Sequence, residues 1–303
     1  METKRIITRP DFDGVVCAVL LKDALGIQAP VYWVEPAEMQ KGQASVNAGD
    51  VIANLPYDSR CSLWFDHHFT NRVEEKIPGS FALTPSAARV IFDFYAGRFS
   101  RDFSGLVDQT DRIDSADLTE DEVLYPERFP HVLLSMTVKN PDREPAYWNL
   151  LVGLLLTRTV EEAMEEPEVK KRCRNAVEQN RRYRKLLEAH TEVRGQVSIT
   201  DFRSFEKTPV GNRFLVFSLF PEAVVNVKIH CHDLQRDKVV LHLGHSIFNR
   251  NCRVNVGLLL SHFEGGGHRG AGAATFHRNK AEHYIPNIIS ALEKNEPNED
   301  AGV

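Results

Sequence analysis

The sequence predicts an α/β protein. Its N-terminal domain would hold a mostly parallel sheet, followed by a linker helix and a smaller α/β C-terminal domain with a mixed sheet. Three observations point there: short apolar β-type runs alternate with helical signals in the first half, a long charged helix follows, and strand signals cluster behind it. A chain of 303 residues exceeds one ordinary core, so two domains are expected. The boundaries read as 1–165 for the first domain, 166–194 for the linker helix, 195–295 for the second domain and 296–303 for a polar, disordered tail.

Element by element, residues 5–8 form a short β-type run, followed by the acidic turn Asp11 to Gly14 and a buried helix over 15–25. Strands are expected at 31–34, 50–54 and 61–65, the second ended by Leu55-Pro56-Tyr57 and the third by Asp66-His67-His68. Residues 85–95 read as a helix with Pro85 near a favourable first-turn position. Helical signals continue over 147–157 and 160–165. The Arg- and Lys-rich stretch 168–190 reads as a solvated helix rather than a nucleic-acid contact. Strand signals then fall at 196–201, 213–220, 224–232 and 238–243. Residues 254–263 are helix-like and lead into Glu264-Gly-Gly-Gly-His268-Arg-Gly-Ala-Gly-Ala273; a last helix is expected over 280–294.

Hydrophobic residues make up 42% and charged residues 26%, the balance of a globular protein. No apolar run approaches the roughly 20 residues needed to cross a bilayer, and the N-terminus lacks a signal-peptide pattern. Five scattered cysteines without metal-type spacing fit free thiols in a reducing cytoplasm. A net charge of −5 argues against a general polyanion-binding surface, although a local basic site or a bound divalent cation would reverse the sign locally. A nucleotide substrate is therefore expected to be short.

Asp11 and Asp13 follow a strand end, where ligands collect in open α/β sheets. Two carboxylates this close repel each other, and a divalent cation removes that cost. Asp66-His67-His68 delivers three polar groups at a second strand end. Carboxylate oxygen with imidazole nitrogen suits Mn²⁺ or a related transition metal better than Ca²⁺. Arg9 is suited to hold a phosphate. In the glycine-rich segment, Gly266 and Gly267 let backbone N–H groups approach an anion, with donors added by His268, Arg269 and, more weakly, Arg250.

These motifs resemble those of the DHH phosphoesterase superfamily, on the RecJ and nanoRNase-like side whose C-terminal domain carries a GGGH-type motif. The superfamily also includes exopolyphosphatase-related proteins. The resemblance covers nearly the whole chain. It implies a hydrolase acting on a small phosphate ester or a short single-stranded oligonucleotide through metal-activated water, with a C-terminal domain that closes over the substrate. It implies Asp11, Asp13, Asp66, His67 and Asp111 as metal ligands, and catalytic roles for Asp66, His67 and His68. Arg9, His68, Arg250, Gly266, Gly267, His268 and Arg269 would bind substrate. Asp108 and Asp114 are alternatives to Asp111, read as capping or supporting groups. The cofactor implied is Mn²⁺, with Mg²⁺ or Co²⁺ as substitutes, one or two ions per chain. Asn54 stands where the superfamily places a bridging Asp, so one well-held metal and an attenuated activity are expected. Inorganic polyphosphate is the alternative substrate, and a non-catalytic phospho-ligand-binding protein the alternative class. A homodimer without membrane contact is the expected state.

Overall fold

The computed structural model describes residues 5–75, 77–138 and 143–299. The chain divides into two compact units, one formed by residues 1–118 and 125–177, the other by 119–124 and 178–303.

The first unit is built on a five-stranded sheet of β1 (Ile6–Thr8), β2 (Tyr32–Trp33), β3 (Val51–Ala53), β4 (Leu63–Asp66) and β5 (Gly79–Phe81), in the order β2-β1-β3-β4-β5. Every pairing is parallel. Such a sheet is covered on both faces, so its strands are short apolar runs rather than alternating ones. Ile6, Val51, Ala53 and Phe65 join the larger core, whereas Ile7, Ile52 and Trp64 pack with Val34, Val46 and Leu55 on the other side. Helix α1 (Phe12–Leu25) is buried continuously from Phe12 to Leu21, which explains its apolar character all round. Gly26, at φ 66°, ends it in the left-handed conformation. After α2 (Pro36–Gln40), α3 (Ala87–Phe94) begins at the Ser86 cap, and α4 (Ser104–Asp114) runs to the edge of the candidate site described below. Because the strands are parallel, Thr8, Asn54 and Asp66 emerge at the same end of the sheet.

Helix α5 (Glu120–Leu124) belongs to the second unit, while α6 (Pro130–Ser135), α7 (Pro145–Thr157) and α8 (Val160–Met164) belong to the first. Helix α9 (Pro167–His190) supplies residues to both. The second unit carries a six-stranded mixed sheet of β6 (Thr191–Arg194), β7 (Val197–Asp201), β8 (Val225–Cys231), β9 (Lys238–His245), β10 (Gly265–His268) and β11 (Ala271–His277), in the order β10-β11-β9-β8-β7-β6. Only β7 and β8 run parallel among these pairings. Alternate residues of β7, β8, β9 and β11 form an apolar core with α11 (Val256–Ser261) and α12 (Ala281–Lys294).

The fold class is the one read from the sequence, with local departures. Residues 213–220, expected as a strand, form α10 (Leu215–Leu219), in which Leu215, Val216 and Phe217 are all buried. A short apolar run buried on all sides has no period that separates strand from helix. The charged helix expected over 168–190 spans Pro167–His190, and residues 191–194, counted with the linker from the sequence, pair with Val197–Thr200 as an antiparallel strand. In the expected disordered tail, residues 296–299 are tied down: the Asn255 N–H donates to the Asn298 side chain at 2.6 Å, and Glu299 pairs with Arg269. Residues 300–303 lie outside the described residues. Among the described residues, no helix is long and apolar enough to cross a membrane.

Candidate metal centre

The turn after β1 sets the first side of the site. Asp11 caps α1, its Oδ1 accepting the Gly14 N–H at 2.8 Å. Gly14 is obligatory for steric reasons: a Cβ there would lie 1.9 Å from the Arg9 carbonyl oxygen. The remaining capacity of Asp11 goes to local donors. Asn54 Nδ2 donates to Oδ1 at 3.0 Å, and Arg9 Nε lies 3.1 Å from Oδ2, near enough for an ion pair but not aligned for a hydrogen bond. Burial raises the Asp11 pKa, against the lowering effects of Arg9 and the Gly14 N–H.

Asp13 is deeper, with no exposed side-chain surface. Its two oxygens accept the Ala87 and Ala88 N–H groups, each at 2.9 Å, so the carboxylate sits on the first turn of α3. Burial, followed by the charge of Asp11, pushes its pKa up to about 7.

Strand β4 supplies the other side. The Asp66 carboxylate is fully buried and satisfied within its own turn. It accepts the His67 N–H at 2.9 Å, the His68 ring Nδ1 at 2.8 Å and the Asn71 side-chain amide at 2.6 Å. The bond from Asp66 raises the pKa of His68 against the opposing effect of burial. His67 Nδ1 lies 3.0 Å from the Thr84 carbonyl oxygen. A carbonyl only accepts, so Nδ1 carries a proton, which leaves Nε2 as the ring nitrogen that a cation could take. That Nε2 is buried without a hydrogen-bond partner, 4.0 Å from Asp13 Oδ2 and 3.5 Å from Asp114 Oδ2. A ring nitrogen and two carboxylates this close are mutually stabilised by a cation or proton between them. The second ring nitrogen held by a backbone carbonyl is the arrangement that fixes a metal-ligating imidazole. The donor set of two carboxylates and one imidazole therefore fits a divalent transition metal.

Asp114 is the last residue of α4 and keeps 32% of its side chain exposed. Partial burial and then the charges of Asp13 and Asp11 raise its pKa to about 7. Ligand atoms of Asp13, His67 and Asp114 lie within 4.8 Å of one another, as do those of Asp66, His67 and His68. Asp111, preferred from the sequence, is engaged by other partners. It accepts Ser86 Oγ at 2.6 Å and Arg89 Nε at 2.8 Å, while Asp108 takes Arg89 Nη2 at 2.5 Å. Asp114 is the α4 carboxylate grouped with Asp13 and His67. The three aspartates recur every third residue along α4, so spacing alone could not separate them; the position of Arg89 does.

Asn54 follows β3 at φ 55°, a left-handed conformation that Asn adopts more readily than most residues. It is buried, and its Oδ1 has no hydrogen-bond partner. Its amide nitrogen faces Asp11, so the position supplies a neutral donor beside a carboxylate.

In the second unit, Gly266, Gly267 and His268 lie on β10 rather than in an open loop, and Arg269 starts the turn into β11. Gly267, at φ 153°, has no room for a side chain, since a Cβ would lie 2.3 Å from the Ala271 carbonyl oxygen; a Cβ at Gly257 of α11 would meet the Gly267 carbonyl oxygen at 2.5 Å, whereas one at Gly266 would meet nothing within 4 Å. Arg269 pairs with Glu299, and the exposed Arg250 donates through Nε to the Ile247 carbonyl at 3.0 Å. His268 is exposed, with Nδ1 accepting the Gly270 N–H at 3.2 Å.

No protein-family model matches the chain, and no curated protein matches it in sequence. Solved structures do. Over 97% of this chain and all of the other, it is similar to the pGpG-specific phosphodiesterase PggH from Vibrio cholerae, at 28% identity and a TM-score of 0.85. RecJ from Thermus thermophilus in complex with Mn²⁺ matches 97% of the chain at 14% identity and a TM-score of 0.56, the chain spanning 52% of that protein. A second RecJ bound to manganese matches at 13% identity and a TM-score of 0.50, over 96% and 90% of the two chains. At such identities the RecJ likenesses establish the fold. The chain is a structural match to members of the DHH phosphoesterase superfamily. Among these, the likeness that spans both chains end to end is to an enzyme specific for a linear dinucleotide.

Proposed function

We propose that the protein is a metal-dependent phosphodiesterase acting on short oligonucleotides, with 5′-phosphorylated dinucleotides such as pGpG as the preferred class. The single observation that carries this reading is the full-length likeness to a pGpG-specific phosphodiesterase, in a chain whose Asp13, His67 and Asp114 donor atoms converge.

In this reading Asp13, His67 and Asp114 hold a divalent cation, with Asp66 as the buried anchor of the turn and Asp11 beside it. Mn²⁺ is the proposed ion, in keeping with the RecJ complexes, and Mg²⁺ or Co²⁺ its substitutes. When bound, the ion lowers the pKa of a water and polarises a phosphoryl oxygen. The chain's own groups do the rest. The α3 N–H groups and the Thr84 carbonyl fix Asp13 and His67 in place. His68, held at Nδ1 by Asp66 and biased toward its protonated form, is suited to give a proton or hydrogen bond to a phosphoryl or leaving oxygen. Arg9, His268, Arg269, Gly266, Gly267 and Arg250 are the proposed phosphate contacts. Asn54 supports a centre with one well-held ion and lower turnover than a two-metal enzyme. The five cysteines are free, which supports a reducing, cytoplasmic setting.

The test is hydrolysis of pGpG, a 3′-phosphorylated AMP and inorganic polyphosphate with Mn²⁺, Mg²⁺ or Co²⁺. The expected result is fastest cleavage of the dinucleotide with Mn²⁺ and loss of activity in Asp13→Ala and His67→Ala. Polyphosphate as the best substrate, or no turnover of any, overturns the reading.

A further inference from the structure

The second unit contains a cavity of about 530 Å³ lined by Asp201, Arg203, Ser204, Cys231, Arg236, Val239 and Arg278. Its place follows from strand register. Asp201 and Cys231 end β7 and β8, Val239 is near the start of β9, and Arg278 follows β11. His277 pairs with Lys238 at this end, whereas Ala271, next to the His268–Arg269 turn, pairs with Gly244 at the other. The cavity therefore lies at the opposite end of the sheet from the glycine-rich motif.

Three arginines here face one carboxylate. Arg203 is held by Asp201 through Nε at 3.0 Å and Nη2 at 2.6 Å, which fixes its plane and offsets one charge. Arg236 is anchored through Nη1 to the Phe205 and Glu206 carbonyls at 3.0 and 3.1 Å, bonds that orient the guanidinium without neutralising it. The Arg278 side chain has no hydrogen bond or ion pair among the described residues. The nearby Asp237 carboxylate is turned to His277, 3.7 Å away. Two guanidiniums thus remain uncompensated beside an apolar wall of Val239 and Cys231, both buried. Oriented guanidinium forks match the oxygens of a phosphate, and the volume falls within the roughly 300–1,000 Å³ of small-molecule sites.

We propose that this cavity is a second ligand site for a nucleotide-sized phosphorylated anion, distinct from the metal centre. Arg236 and Arg278 grip the phosphate, Arg203 lies alongside, and Val239 and Cys231 support the apolar body. The site does not depend on the proposed hydrolysis, so the two readings fail separately.

The test is calorimetric titration of the full-length protein in EDTA with GMP, pyrophosphate and guanosine. Saturable binding of GMP or pyrophosphate is expected, with guanosine much weaker. Arg278→Ala and Arg236→Ala, both at exposed positions, should each weaken binding about tenfold or more, the loss of one charge-assisted pair. Asp13→Ala and Arg269→Ala should leave it unchanged. Absence of saturable binding up to about 10 mM, or binding that survives both arginine substitutions, overturns the proposal; so does binding abolished by Arg269→Ala alone. Circular dichroism of each variant separates lost binding from lost folding.

Discussion

Asp114→Asn tests the cluster most directly, because in the metal-free protein it should stabilise and in the metal-loaded protein it should disable. Asp13 and Asp114 each have a pKa raised to about 7 from 3.8, by burial and by nearby negative charge. An acid whose folded pKa is raised contributes stability that is complete below its unfolded pKa, near 4, and is lost as pH rises through about 7. At 1.36 kcal/mol per unit, the full rise for the buried Asp13 corresponds to roughly 4 kcal/mol. Asp114 is partly exposed and titrates together with Asp13, so about 3–4 kcal/mol is a ceiling for the pair. For a unit of this size, about 1 kcal/mol moves Tm by roughly 2–4 °C. In EDTA, the Tm of the native protein should therefore fall on the order of 10 °C between pH 5 and pH 8. Asp114→Asn removes one member of the pair, so it should flatten that slope and melt several degrees above the native protein at pH 8. Mn²⁺ should raise the Tm of the native protein at pH 8 far more than at pH 5, since protons compete for the ligands, and should barely affect Asp114→Asn. Differential scanning fluorimetry across pH, with and without Mn²⁺, reads all of this. A flat or rising metal-free Tm from pH 5 to pH 8, or an undiminished Mn²⁺ response in Asp114→Asn, would refute the reasoning.

Asp111→Asn removes one of the two carboxylates that pair with Arg89; with Asp111 as a positioning group under the proposed reading, it should lower Mn²⁺ affinity by no more than about 10–100-fold, clearly less than Asp114→Asn in the same titration. Asn54→Asp puts a carboxylate beside Asp11 at a backbone conformation Asp tolerates; metal-free stability should drop at pH 8, while bound Mn²⁺ per chain, measured by elemental analysis, should rise toward two. Two tight ions in the native protein would contradict that expectation. Gly14→Ala drives a Cβ into the Arg9 carbonyl, an overlap that should cost about 3 kcal/mol or more and leave little folded protein by circular dichroism.

The parallel sheet and its site end are legible in the sequence because the signals are local. Asp11, Asp13 and Asp66 each follow an apolar strand, and the parallel connections bring those strand ends together. The glycine-rich segment is legible as a motif but not as a hairpin. Its chain pairing depends on β9 and on α11 packing against Gly267, contacts distant in sequence or invisible to composition. Residues 213–220 mislead for a different reason: an apolar run buried on every side carries no period. The sequence leaves Asp108, Asp111 and Asp114 as alternatives because they share one spacing; what distinguishes them is Arg89, more than a dozen residues away, which pairs with the first two.

Asn54 can be given a physical meaning from its neighbours. A carboxylate there would add a further negative charge to a region in which burial already raises the pKa of Asp11, Asp13 and Asp114. The amide instead donates to Asp11, which also receives the Gly14 N–H and lies against Arg9. Asp11 is thereby engaged by protein donors, and its ligand atoms are not among those of Asp13, His67 and Asp114 that lie within 4.8 Å of one another. The substitution and the turn of Asp11 are thus one arrangement, and the charge left for a cation is concentrated on Asp13 and Asp114. Restoring a carboxylate at position 54 should release Asp11 toward the cluster more fully when Arg9 also lets go, so Asn54→Asp combined with Arg9→Ala should bind a second Mn²⁺ more tightly than either change alone. Strictly additive effects in that double-mutant cycle would show that the two positions act on Asp11 independently.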